Sequence, residues 1–214
     1  MPQYSLSRPG LIFSGFAALV AFALAAYACL PSLRLAFHQR EVSGISQAHW
    51  VNAHQYDQDW FDAARAGRVD ILRALYEAHY PINSRTSQGY TAVILAAYDE
   101  QPAALDYLLS IGANPCLGDR NGNTALMGAL YKGNTGIARR LLETHCPIDS
   151  VNNAGETALS FAALFGRLEF LSTIAGQGAD LNHADYKGDT PMDIVLKQGD
   201  GNAAMALRKL GARG

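Results

Sequence analysis

Four Gly-x-Thr triplets, Gly89-Tyr90-Thr91, Gly122-Asn123-Thr124, Gly155-Glu156-Thr157 and Gly188-Asp189-Thr190, follow one another at a constant interval of 33 residues. A fixed period of this length marks a stack of similar units, each leaning on its neighbours for its core. The usual work of such a stack is binding rather than catalysis.

The rest of each unit keeps the same phase. A second glycine stands nine residues after the threonine at Gly133, Gly166 and Gly199, with Gly67 in an earlier unit and Glu100 as the exception. Apolar pairs follow at Leu108-Leu109, Leu141-Leu142 and Ile174-Ala175. Units close on Gly112-Ala113-Asn114, Gly178-Ala179-Asp180 and Gly211-Ala212, where glycine ends a helix in a left-handed conformation without steric penalty. Ala96-Ala97 and Ala162-Ala163 are small, good helix formers that let one helix lie close to another. Ala63-Ala64, Gly67, Ile71-Leu72 and Leu75 hold the phase in a first unit without a hairpin signature. The last unit ends on Ala203-Ala204-Met205-Ala206-Leu207-Arg208-Lys209, and both end units read as caps.

This pattern resembles the ankyrin repeat over roughly residues 56–213. The resemblance implies an all-α solenoid of hairpin loops followed by two antiparallel helices, in about five units with the first and last degenerate. Thr190-Pro191-Met192 is nearest to the family's Thr-Pro-Leu signature; the others read Thr91-Ala92-Val93, Thr124-Ala125-Leu126 and Thr157-Ala158-Leu159. Ile94, Met127, Ser160 and Asp193 stand where the family carries a histidine, which implies the loss of a turn-stabilising hydrogen bond.

Before the repeats, Leu11 to Leu30 form a run of twenty residues without a charge. As a helix it is about 30 Å long, enough to cross a hydrocarbon core. An uncleaved signal anchor fits that length. A secretory signal peptide has a shorter apolar stretch, yet Ala26-Tyr27-Ala28 has the look of a cleavage site, and Cys29 after it resembles a lipoprotein processing site. Arg8 before the span and Arg34 and Arg40 after it nearly balance, so the positive-inside rule leaves orientation open. The cleavage-like residues favour an N-in anchor with the repeats in the periplasm; a cytoplasm-facing array and an array exported after cleavage are the alternatives. The layout is then a tail at 1–10, a transmembrane anchor at 11–30, a spacer at 31–55 and the repeat array at 56–213.

Charge narrows the partner class. Beyond residue 55 the chain carries 14 Lys and Arg against 18 Asp and Glu. A mildly acidic array without a basic stripe cannot neutralise a phosphate backbone, so nucleic acid is not expected as a partner. Cys116 and Cys146 fall in adjacent units. The spacing of stacked units is larger than a disulfide accepts, so both read as small buried apolar residues rather than a bridge. Only His49 and His54 among the six histidines lie near each other, too few ligands for a metal site. Asp57, Asp59 and Asp62 read as the acidic start of a helix. No nucleophile elbow, phosphate loop or dinucleotide motif occurs, so neither an enzyme nor a cofactor is expected.

The resemblance implies that partners bind the concave face formed by hairpin tips and first helices. Positions four, seven and eight after each threonine should face it: Leu95, Tyr98 and Asp99; Gly128, Tyr131 and Lys132; Phe161, Leu164 and Phe165; Ile194, Lys197 and Gln198. Many are large and apolar, either as exposed interface or as packing between successive first helices. The candidate partner-binding residues are Tyr98, Tyr131, Phe161, Leu164, Phe165 and Lys132, with Arg120 and Glu156 at the tips. Similarity to small bacterial exported ankyrin proteins implies a protein partner. Support of a periplasmic enzyme such as catalase and neutralisation of a toxin as an immunity protein are the two roles that the likeness suggests.

Overall fold

The computed structural model describes residues 53–214, and ten α-helices with no strand are found among them. The segments assigned above to a tail (1–10), an anchor (11–30) and most of the spacer, including Cys29 and His49, lie outside the described residues. Among the described residues no helix is long and apolar enough to cross a membrane.

Five helix pairs follow a short 3₁₀ turn at Ala53–Tyr56. They are α1 (Asp57–Arg65) with α2 (Val69–Glu77), α3 (Ala92–Tyr98) with α4 (Pro102–Ser110), and α5 (Ala125–Lys132) with α6 (Thr135–Leu142). α7 (Ala158–Leu164) with α8 (Leu168–Gly176) and α9 (Pro191–Gln198) with α10 (Gly201–Leu210) complete the stack. The odd-numbered helices pack one on the next in a single layer. Their shared face carries Ala63, Ala64, Ala96, Ala97, Ala129, Ala162 and Ala163, all buried, so neighbouring backbones approach closely. Trp60, Leu72, Leu105, Leu108, Leu130, Leu159, Leu171 and Leu207 fill the space between layers.

Each odd helix from α3 onward starts on a threonine whose side chain accepts the backbone N–H three residues on, at Ile94, Met127, Ser160 and Asp193. Three of the four residues that replace the family histidine bond back to the threonine N–H, through Met127 Sδ, Ser160 Oγ and Asp193 Oδ2. The hydrogen bond taken as lost with the histidine is therefore restored by other acceptors in three units, because the capping geometry needs an acceptor at that position, not an imidazole. The Thr190 bonds hold the Asp193 carboxyl below the usual carboxylate range. Glu100 is likewise no break in the backbone, since its φ of 55° keeps the left-handed turn that glycine makes in the other units.

Successive units are tied by three recurring hydrogen bonds. Arg120 N–H donates to Gln88 O, Asn153 to Asn121 O and Tyr186 to Ala154 O, joining hairpin tips. Asn134 Nδ2 donates to the Ala97 and Tyr98 carbonyls, and Arg167 to those of Leu130 and Tyr131, capping the C-termini of α3 and α5 from the next unit. In the closing loops, Asn83 accepts from Asn114 N–H, Asp149 from Asp180 and Asn182 from Arg213.

That third ladder explains a correction. Cys116 and Cys146, read above as unbridged, form a disulfide with their Cα atoms 5.3 Å apart. The spacing of stacked helices does not govern these loops, which already approach to side chain–backbone hydrogen-bond distance in the other units. Cys116 occupies the position of Asn83, Asp149 and Asn182, and the residue that should donate to it is Pro147, which has no N–H. Cys146 takes the place of the buried Ala113 and Ala179. The bridge thus stands where the hydrogen bond cannot form.

Asp57 behaves as the helix-start reading expected: it lies in the first turn of α1 and accepts the Tyr80 hydroxyl. At the far end, α10 presents Met205, Arg208 and Lys209 to solvent as a closing face.

Candidate functional site

The hairpins begin on a side-chain turn. Asp119 Oδ1 accepts the N–H groups of Asn121 and Asn123, Asn152 Oδ1 those of Ala154 and Glu156, and Asp185 Oδ1 those of Lys187 and Asp189. The Asp189 and Lys187 bonds hold the Asp185 carboxyl below its ordinary value. This rigid turn aims each tip along its first helix. Between tips and helices α3, α5 and α7 lies a groove of about 530 Å³.

Six of the eight candidate residues line it: Tyr98, Tyr131, Phe161, Leu164, Phe165 and Glu156. The Tyr98 and Tyr131 rings are nearly parallel with centroids 6.1 Å apart, and Tyr131 meets Phe165 edge-on at 4.9 Å. Phe161 follows at 5.6 Å from Phe165. Tyr98 is 39% and Tyr131 47% exposed, so two rings of this strip face solvent.

Three of the candidates differ from the rest in placement. Phe161 is only 9% exposed, and Leu95 and Ile194 at its position in other units are also buried. The fourth residue after the threonine turns inward against the next first helix, so Phe161 offers the groove an edge rather than a side chain. Arg120 is exposed at the tip outside the groove lining, and its backbone is held there by Gln88 and Asn153. Lys132 stands beside the groove, its ammonium 4.6 Å from the Tyr98 ring centre.

Arg65, Asp119, Asn121 and Asn123 also line the groove, as do Asp99 and Gly128, which counting from the threonine placed on this face without naming them as candidates. The signal for the tips was present in the recurrence of Asp119, Asn152 and Asp185 three residues before each hairpin glycine. Arg65 stands 33 residues before Tyr98, so the phase that Ala63-Ala64 and Gly67 keep in the first unit pointed to it as well.

The arrangement can cover an apolar side chain with aromatic surface and meet polar groups at the rim. It brings together no nucleophile with a base, and no group of three or more His, Cys, Asp or Glu among the described residues is placed to hold a metal.

Comparison with known proteins agrees with this geometry. A family model described as ankyrin repeats (3 copies) matches at residues 60–152, 107–185 and 129–213. "Protein PhlB" of Serratia liquefaciens is 33% identical over 118 residues, covering 54% of this chain and 52% of that protein. "Ankyrin repeat domain-containing protein 63" of Mus musculus is 28% identical over 158 residues, 69% of this chain and 40% of that one. An "L-asparaginase" of Dirofilaria immitis is 28% identical over 135 residues, 63% of this chain but only 23% of its own length. The chain thus spans about half or less of each of these relatives. With matches running from residue 60 to 213, the chain belongs to the ankyrin-repeat family, whose repeats are protein-interaction modules.

Proposed function

We propose that this chain is a membrane-anchored, exported binder that captures one partner protein in the groove of its repeat array. The observation that carries the reading is the aromatic strip of Tyr98, Tyr131 and Phe165, in which both tyrosine rings are exposed. Aromatic side chains clustered at the centre of a concave surface are the commonest anchors of protein interfaces. The odd-numbered helices could have buried these rings among themselves, as they bury Leu95 and Ile194, yet Tyr98 and Tyr131 remain open to solvent.

The export half rests on the uncharged run from Leu11 to Leu30 and on the Cys116–Cys146 bridge. Disulfides persist in oxidising compartments and are reduced in the cytosol, so the bridge favours a periplasmic array over a cytoplasm-facing scaffold. Support of a periplasmic enzyme and neutralisation of a toxin both fit such a binder.

Each half has its own test. Tyr98→Ala, Tyr131→Ala and Phe165→Ala combined are expected to weaken partner capture by about a hundredfold or more, as loss of interface hot spots does, with the helical circular dichroism retained. Wild-type capture by a folded triple variant rules the groove out. For the compartment, thiols are alkylated in intact cells after acid quenching, and the Cys116 and Cys146 peptides are followed by mass spectrometry. They are expected to resist alkylation until reduced; free thiols in the untreated sample sink the export reading.

A further inference from the structure

Gly128 is the anomaly of the groove. It sits inside α5, where glycine is about 1 kcal/mol worse than alanine, and it has no positive φ to excuse it. Nor is it crowded: a Cβ there would meet only Tyr98 Cδ2, at an ordinary contact distance of 3.7 Å. The equivalent positions of the other units with a hairpin glycine carry Leu95, Phe161 and Ile194, each buried, and the first unit carries the exposed Asp62. Neither backbone nor packing requires a glycine at 128, and the missing side chain leaves a notch beside Tyr98 in the lining of the groove.

The charge around the notch is mostly acidic, with Lys132 over Tyr98 as a cation at its edge. Asp99, Asp119 and Glu156 line the groove, and among the described residues none of the three is in an ion pair. Asp119 Oδ1 and Glu156 Oε2 accept hydrogen bonds from backbone amides and from Asn152, which orients the carboxylates without neutralising them. Among the described residues, Arg65 is the one cation in the groove lining, and it is paired with Asp62. Lys132 over Tyr98 shows the ring surface already in use as a seat for a cation.

We propose that the notch over Gly128 is a socket for an arginine side chain of the partner. Its methylenes lie on the aromatic strip and its guanidinium reaches the carboxylates of Asp99, Asp119 and Glu156. The inference rests on the groove being the binding face and adds the chemistry of what enters it. Arginine suits the site better than lysine because its planar, weakly hydrated cation stacks on rings while its N–H fork meets carboxylates. A cation that gains both contacts also offsets the like-charge repulsion within the groove.

The test uses the full chain in mild detergent and fluorescent peptides of about ten residues, with one central side chain flanked by leucine and glycine. That side chain is arginine, lysine, neutral citrulline or glutamate, and binding is read by anisotropy at low ionic strength. The arginine peptide is expected to bind about tenfold more tightly than the citrulline peptide, with lysine between them and glutamate weakest. Gly128→Leu fills the notch and is expected to abolish binding without lowering the urea midpoint; Gly128→Ala, which adds only the Cβ, guards against misfolding of the larger variant. Asp99→Asn with Glu156→Gln should remove the preference for arginine, whereas Asp59→Asn with Glu169→Gln, away from the groove, should not. Equal binding of arginine and citrulline peptides, both lost on Gly128→Leu, overturns the cationic occupant and leaves the groove as the binding face. Arginine-peptide binding indifferent to both Gly128→Leu and Tyr131→Ala overturns socket and groove together. Absence of saturable binding by every peptide also overturns the socket.

Discussion

Replacing Cys116 by serine and Cys146 by alanine is expected to lower the free energy of unfolding by about 3–4 kcal/mol, the largest effect of any change outside the core. The bridge spans 30 residues of sequence, and a loop of that length loses about that much closure entropy in the unfolded chain. The native contribution comes on top. Without the bridge, the second and third closing loops lack the hydrogen bond that ties the others, since Pro147 cannot donate where Asn114, Asp180 and Arg213 do.

The same account predicts a partial rescue. Cys116→Asn with Cys146→Ala and Pro147→Ala rebuilds the ladder found in the other units, and should recover about 1 kcal/mol relative to the Ser/Ala variant. Urea midpoints followed by circular dichroism in detergent, with and without reductant, measure all three proteins. Reductant should shift the wild type and leave both variants unmoved. A wild type insensitive to full reduction would show that the loops are held by something other than the bridge.

The period made the fold legible. Gly-x-Thr at a constant interval fixed where each hairpin ends and each first helix begins, and the recurrent alanines showed which helices approach closely. The disulfide stayed hidden because the distance between stacked helices does not set the distance between closing loops, where Asn83 and Asp149 at the equivalent position reach straight across to the next loop. The groove was legible in part. Counting from the threonine found Tyr98, Tyr131 and Phe165, but all three counted positions share one face of the helix. The fourth is buried in mid-helix, whereas the seventh and eighth fall at the C-terminal end, where Tyr98 is the last residue of α3 and Phe165 caps α7. The rim needed the partner strand of the hairpin, seen only once Asp119 is placed beside Asn123. Gly128 was read as one more variable position, because a missing side chain has meaning only against the buried Leu95 and Phe161 on either side of it.

Gly122→Ala is expected to destabilise the array by about 3 kcal/mol, and Gly188→Ala by only about 1 kcal/mol, although the two glycines share one role in the repeat. Their backbones are alike, with φ of 81° and 89°, so the penalty of a Cβ in the left-handed region is common to both. Their neighbours differ. A Cβ on Gly122 would lie 2.9 Å from Asn152 Cα and 3.0 Å from Asn153 N, backbone atoms of the next hairpin that cannot swing aside. The tips must separate, and the Asn153 N–H bond to Asn121 O is stretched with them. Gly188 belongs to the last hairpin and has nothing within 4 Å. The difference of about 2 kcal/mol therefore isolates contact between neighbouring units from strain within one, which is how stability is partitioned in a stacked array. Urea titration of both variants decides it. Equal losses would mean that the hairpin tips contribute nothing to stacking and that the helices alone hold the units together.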